Sequence, residues 1–508
     1  MAAHSDQHGG AAGAGAGGAE TFEERTSLGE RAWPVYNIAK IAGFVGIIGG
    51  VAMGYMLDPG FRRFYFAYLV AFTFFLSIAL GALGFVLLQY LTRAGWSVNV
   101  RRAAECLGAT MPILFALSAP VLLSVLLNRG DLYRWAQPIA HSADALHGAK
   151  DAQGKESPSA AGVAETQGAA GANQGTQGHP APEKPAVPTV AGDANATAHA
   201  DEHGRPAATG SYAEQHPSAK GVQPLDDLTL KKRPVLNRWS FTLRIILYFA
   251  VWSGIALWYW RLSTEQDRSA DVALTERMQA RSAPAIILFG VTVTFAAFDL
   301  LMSLDPHWFS TMMGVYFLSG SMLAGFAGMI LVLGMLQRLG YLTRSVSTEH
   351  YHDLGKWLFA FVFFWGYIAF SQYMLLWYAN IPEETGWLAR RGASSARAHI
   401  GPWTYVSLAL LLGKLLIPFA GLLSRHVKRR RALLMFWAAW VLVFHYVDLF
   451  WVIMPELDGR VHFGLVEVLC FLGVGGVFMA SYLRLLAKNP LRPLNDPRTT
   501  ESLAFQNV

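Results

Sequence analysis

Asp299, Lys414, His445, Asp448 and Glu467 all fall inside long apolar runs of this 508-residue chain. An ionisable group in hydrocarbon costs about 2.5–3.5 kcal/mol on insertion scales, so each is a functional-site hypothesis. His445 and Asp448 are three residues apart, which puts them on one face of a helix. Carboxylates beside an imidazole, with a lysine in reach, suit proton transfer. The same groups could instead pair across helices and only fix the packing. Asp305 and His307 follow Asp299 closely, and Gln372 and Tyr373 lead into the aromatic end Trp377–Tyr378. A quinone head group also needs a donor or two in an apolar, aromatic-lined slot. Proton transfer or a quinone-facing pocket is therefore expected of Asp299, Asp305, His307, Gln372, Lys414, His445, Asp448 and Glu467. No residue is assigned a catalytic or metal-binding role. Lys40, Arg244 and Lys356 lie nearer the run ends and are expected to snorkel to the interface.

The elements that must position these groups are read from the apolar runs themselves. Hydrophobic residues make up 53% of the chain and charged residues only 15%, where a soluble domain carries roughly a quarter. Backbone in lipid has no partner but itself, so the runs must be helices or a closed barrel. No ten-residue alternation of barrel type is present. The spacing predicts helices over 38–57, 64–91, 107–127, 239–260, 284–304, 311–337, 355–378, 401–424, 433–454 and 464–486. The expected fold is all-α and polytopic. Asp299 then lies ~8 Å from one end of its helix and Asp448 ~10 Å before Pro455, at the same end. No internal repeat is read in the helical part.

Lys and Arg are concentrated in one set of short loops: Arg93, Arg101 and Arg102, then Arg261–Arg281, Arg338 and Arg344, and Arg425–Arg431. By the positive-inside rule both termini are expected in the cytoplasm, with the acidic groups near the outer face. The Arg425–Arg431 run is read first as a topology determinant, with contact to anionic lipid as the second reading. The basic residues gather at helix ends, so the net charge of +6 does not argue for nucleic acid. Expected organisation is a disordered tail at 1–37, helices at 38–135, a disordered outer insertion at 136–225, helices at 226–487 and a tail at 488–508. The insertion is rich in Ala, Gly, Gln, Pro and His and holds too little apolar surface to offset its ordering entropy.

Two cysteines, Cys106 and Cys470, cannot hold an iron–sulfur cluster, which takes about four thiolates. A transmembrane haem takes axial histidines, and only His445 stands well inside a helix. No redox centre is therefore expected on this chain.

Three strings, FDLLMSLDPHWFSTMMGVYFLSGS (298–321), YHDLGKWLFAFVFFWGYIAFSQYMLLWYANIPEETGW (351–387) and FHYVDLFWVIMP (444–455), resemble a known family. They look like the second quinone-binding subunit of bacterial alternative complex III, a quinol:cytochrome c oxidoreductase. That family is similar in fold to polysulfide-reductase-type membrane subunits: two four-helix bundles plus two helices. The resemblance implies a bacterial inner membrane and a complex with a sister quinone-binding subunit, an iron–sulfur protein and c-type haem subunits. It implies quinone or menaquinone as the ligand class and proton transfer as the alternative role. A secondary transporter would show Gly/Pro-broken helices in matching halves; Pro112, Pro120 and Pro418 do not pair that way. A purely structural anchor of redox subunits is the third reading.

Overall fold

The computed structural model describes residues 24–58, 60–127, 131–137, 227–393 and 400–506. Among them, ten helices are long and apolar enough to cross a membrane. They are α1 (Gly29–Leu57), α2 (Arg62–Leu91), α3 (Gly95–Leu126), α4 (Arg238–Ser269) and α5 (Val272–Leu304). The remaining five are α6 (Met312–Arg338), α7 (Thr348–Ala379), α8 (Pro402–Leu423), α9 (Arg431–Asp458) and α10 (Leu465–Lys488). The protein is an all-α polytopic membrane protein.

Helices α2–α5 pack as one bundle and α6–α9 as a second, with α2 and α6 crossing between them. The pair α1 and α10 lies against α2. At the α2/α6 crossing Gly81 meets the backbone of Ser321 and Gly325, where any Cβ would clash. This close approach brings side chains of α2 within reach of the second bundle. Short loops alternate between two ends of the helices. One end carries Asp58, Asp305 and Glu456; the other carries Arg93, Arg344, Arg425 and the first and last described residues.

Two expectations change. Within the tail expected at 1–37, residues 24–37 are ordered: Glu24 accepts from the amides of Arg344 (2.7 Å) and Ser345 (2.8 Å), and Leu491 N donates to Thr26 O at 2.7 Å. Residues 1–23 of that tail lie outside the described residues. The third helix starts before 107: a 3₁₀ turn at Gly95–Ser97 leads into α-helix from Val98, and so takes in Arg101, Arg102 and Glu105. Its charges escaped the apolar pattern because they neutralise one another. The helix is interrupted at Ala109–Thr110 and again at Ser118, each just ahead of a proline (Pro112, Pro120) that cannot donate to the ladder. The insertion expected at 136–225 lies outside the described residues except for Ala136 and Gln137.

Candidate functional site

Helix α8 is the element that builds the site. It runs as ordinary helix over Pro402–Leu410, opens into a π-turn over Leu411–Leu416, and resumes at Ile417. The sequence supplies the causes. Pro418 has no N–H to give the Lys414 carbonyl, and its ring crowds that carbonyl. One turn earlier the Gly413 carbonyl accepts from Trp440 Nε1 of α9 at 2.8 Å, so a side chain has entered the ladder. Gly413 also lets the Phe444 ring of α9 sit against the turn, since a Cβ there would strike it. Such π-turns are frequent at functional sites because they re-aim one side chain.

The side chain re-aimed is Lys414, fully buried about midway along α8. Its ammonium donates to Asp448 Oδ2 at 2.6 Å and to His445 Nδ1 at 3.1 Å. It also stands over the Trp365 ring of α7, 4.1 Å from the centroid. These three directions match the three N–H bonds of an ammonium. Asp448 Oδ1 accepts a hydrogen bond from the Tyr316 hydroxyl of α6. His445 Nε2 faces Ser77 Oγ of α2 at 2.8 Å, while that hydroxyl donates to Phe74 O at 2.7 Å. With its one proton committed to Phe74, Ser77 must accept, so His445 carries its hydrogen on Nε2 and accepts from Lys414 on Nδ1. The result is one chain, Tyr316–Asp448–Lys414–His445–Ser77, drawn from α2, α6, α8 and α9. Gly320 on α6 leaves room for the imidazole: a Cβ there would lie 3.0 Å from His445 Cε1.

No family model matches this chain, and no curated protein matches it. The site is therefore read from its own chemistry. Ser77, His445, Lys414 and Asp448 are each sealed from the surface. A quinone head group arriving from lipid would find none of their polar atoms accessible, so these residues do not fit a quinone. They fit a proton, which needs only continuous hydrogen bonds.

The structure divides the eight expected residues. Lys414, His445 and Asp448 meet. Glu467 does not join them: it caps α10 by accepting from Gly464 N (2.7 Å) and forms a two-pronged pair with Arg63 at 3.1 and 3.0 Å. Asp299 lies in the first bundle, clamped by Arg244 of α4 at 2.8 and 2.7 Å and by the Tyr248 hydroxyl at 2.8 Å. Arg244 is therefore an ion-pair partner rather than a snorkelling side chain. Asp305 and His307 belong to the loop after α5, where Asp305 binds the His307 amide and pairs with Arg390. Gln372 is buried on α7, and its Oε1 has no hydrogen-bond partner among the described residues. The depths of Asp299 and Asp448 matched in the sequence, but rotation about each helix axis sends them to different partners.

Two further groups were missed. At the Asp305 end, Arg391 is fully buried, giving hydrogen bonds to the Trp451 (3.1 Å) and Val452 (2.6 Å) carbonyls and to Glu456 (3.0 Å). Burial pulls this guanidinium down to about 10, against the opposing charge of Glu456, and it stays cationic at neutral pH. Asp305 beside it is held well below the usual carboxylate range: burial raises it, but the His307 hydrogen bonds and the Arg390 charge outweigh that. At the other end Arg101 pairs with Glu105 (3.0 Å) and Asp496 (2.6 Å), and Arg102 with Glu105 (3.1 Å) and Asp267 (2.7 Å). This network fastens the C-terminal segment to α3 and α4. Only the density of charge in 101–105 could have signalled it.

A repeat also emerges once the partners are known. The string D-L-x5-P occurs at Asp299–Pro306 and again at Asp448–Pro455. In each bundle that aspartate meets a base from the preceding membrane helix, Arg244 from α4 and Lys414 from α8. Two matching short strings in dissimilar helices carry no repeat signal until the pairing is seen.

Proposed function

We propose that this chain is a membrane subunit of a quinol:electron-acceptor oxidoreductase, without a redox centre of its own, and that it moves protons along Tyr316–Asp448–Lys414–His445–Ser77. The observation that carries the proton role is the sealed lysine–aspartate couple, hydrogen-bonded on one side to the Tyr316 hydroxyl, which can pass a proton, and on the other to His445, which can hold one. A proton arriving at Asp448 through the Tyr316 hydroxyl neutralises the carboxylate and frees Lys414 to give a proton to His445 Nδ1. His445, then protonated on both ring nitrogens, holds the proton while its Nε2–H stays bonded to Ser77 Oγ, and gives it back by the same steps in reverse. Each step breaks one N–H or O–H bond and forms another, so charge and atoms balance. Below Ser77 the bundle holds the stacked rings of Phe326, Trp357 and Phe361, with no further ionisable group among them. The path serves one face and stops in the membrane.

The place in a complex rests on the three sequence strings and on the lack of paired axial histidines. Partners on this reading are a sister quinone-binding membrane subunit, an iron–sulfur protein and c-type haem subunits, in a bacterial inner membrane. The quinol or menaquinol is then oxidised elsewhere in the complex. The Lys/Arg-rich end faces the cytoplasm on this reading, which puts both termini there and opens the path outward. Purification through a tag on this chain tests the assignment. Haem c and iron–sulfur protein should copurify, and Asp448→Asn should assemble normally while slowing quinol oxidation. Copurification without haem proteins would overturn the complex; an unaltered Asp448→Asn enzyme at every pH would overturn the proton role.

A further inference from the structure

The turn between α8 and α9 carries the sequence R-H-V-K-R-R-R from Arg425 to Arg431. Not all of it is available. Lys428 is buried, giving its hydrogens to the carbonyls of Leu422 (2.8 Å) and Leu423 (3.1 Å), so it closes the end of α8. Arg429 pairs with Glu349 of α7, and Arg431 donates to Gln337 at 3.0 Å. Arg425, His426 and Arg430 are exposed and have no side-chain partner among the described residues. Those three are cations that the fold itself does not use.

Their position decides what they meet. They stand at the ends of two membrane-crossing helices whose adjoining faces expose Leu423, Leu433 and Phe436. An exposed apolar wall directly beside unpaired guanidinium groups matches a ligand with both an anionic head and a hydrocarbon tail. Acidic groups of the neighbourhood, Glu349 and Asp353, are already engaged by Arg429 and Lys356, so the excess charge is positive. A guanidinium fork fits a phosphate better than an ammonium does. We infer that Arg425, His426 and Arg430 form a binding site for the phosphate head of an anionic phospholipid, with its acyl chains along Leu423, Leu433 and Phe436. Held there, the lipid anchors the same end of α8 that Lys428 caps.

The full chain, purified in mild detergent and reconstituted in nanodiscs with phosphatidylglycerol or with phosphatidylcholine, provides the test. Phosphatidylglycerol should remain bound through purification, counted per chain by lipid mass spectrometry, and phosphatidylcholine should not. Each arginine near an anionic surface contributes roughly a factor of five in binding, so Arg425→Gln/Arg430→Gln should retain it about 30-fold more weakly. Arg460→Gln, at the opposite end, should bind as the unaltered chain does. Inorganic phosphate at equal concentration should not displace the lipid, because it has no chains for the apolar wall. Equal retention by the double variant, with an unchanged unfolding midpoint showing that it is folded, would overturn the site. So would displacement by phosphate alone.

Discussion

The two bundles carry the same couple built from different bases. In the first, Arg244 grips Asp299 with two parallel hydrogen bonds and keeps 22% of its side chain exposed. In the second, Lys414 reaches Asp448 with one bond, is fully buried, and shares its remaining hydrogens with His445 and the Trp365 ring. Arginine stays charged under any condition a protein meets, whereas a buried lysine gives up its proton readily. Among the described residues no histidine bonds Asp299; beside Arg244 it accepts from the Tyr248 hydroxyl. The first couple is a fixed clamp between α4 and α5. The second holds its aspartate by a single bond and, on the proposed reading, has a releasable proton and a neighbour to take it.

The largest effect should come from removing one member of the buried couple. Lys414→Met leaves the Asp448 carboxylate sealed without its cation, a loss of about 3–5 kcal/mol. Thermal unfolding of the purified chain should fall sharply, and Lys414→Met/Asp448→Leu should recover much of that stability without recovering turnover. A single variant as stable as the parent would mean that the couple is not ionic.

Isosteric changes should separate the bundles next. Asp448→Asn should slow quinol oxidation by the assembled complex on the order of 100-fold, the range that loss of a proton-transfer group produces. Asp299→Asn should reduce stability and leave turnover per assembled complex within about twofold, because no transferable proton sits there. Equal turnover losses in the two variants would erase the distinction drawn between clamp and relay.

Swapping the bases sharpens it further. Lys414→Arg keeps the charge but cannot release it, so the complex should assemble with a packing cost of about 1–3 kcal/mol and still fail to turn over. Arg244→Lys should turn over normally and lose roughly 1 kcal/mol with its second hydrogen bond. Turnover by Lys414→Arg at the parental rate would show that Lys414 never gives up its proton.

Smaller effects are expected around the relay. Asp305 has a folded value below its unfolded value of about 3.9, so its contribution is fully present above that pH and is lost as the pH falls through the folded value. The difference in unfolding midpoint between the parent and Asp305→Asn should therefore be constant from pH 5 to 8 and shrink only in stronger acid. A difference that varied between pH 5 and 8 would point to His307 instead. Gly320→Ala should displace the His445 ring by a few tenths of an ångström and slow turnover by a few-fold at most.

Most of the helices could be read directly, because hydrocarbon leaves a backbone no alternative to bonding itself and the apolar run is then the helix. Starts were missed where charges pair within the fold, as with Arg101, Arg102 and Glu105, since a neutralised charge looks like loop in sequence. The relay was half legible. His445 and Asp448 share a face by spacing alone, and Lys414 was marked by its rarity in lipid. Tyr316 and Ser77 were not marked, because a hydroxyl in a helix costs little and most bond their own backbone.

Sequence by itself determined that this chain crosses the membrane, roughly where it crosses, and which side chains are too costly there to be accidental. It could also place those side chains in depth, since rise along a helix is fixed at about 1.5 Å per residue. What only the tertiary structure decided is which of them meet. That depends on rotation about each axis and on how closely two helices approach, here set by Gly81 against Gly325, by Gly413 against Phe444 and by the π-turn before Pro418. One extra residue in that turn alters the direction of every side chain after it, which no local pattern reports. Asp299, matched to Asp448 in depth, and Glu467 were thereby assigned to other partners, and Lys414 was turned inward.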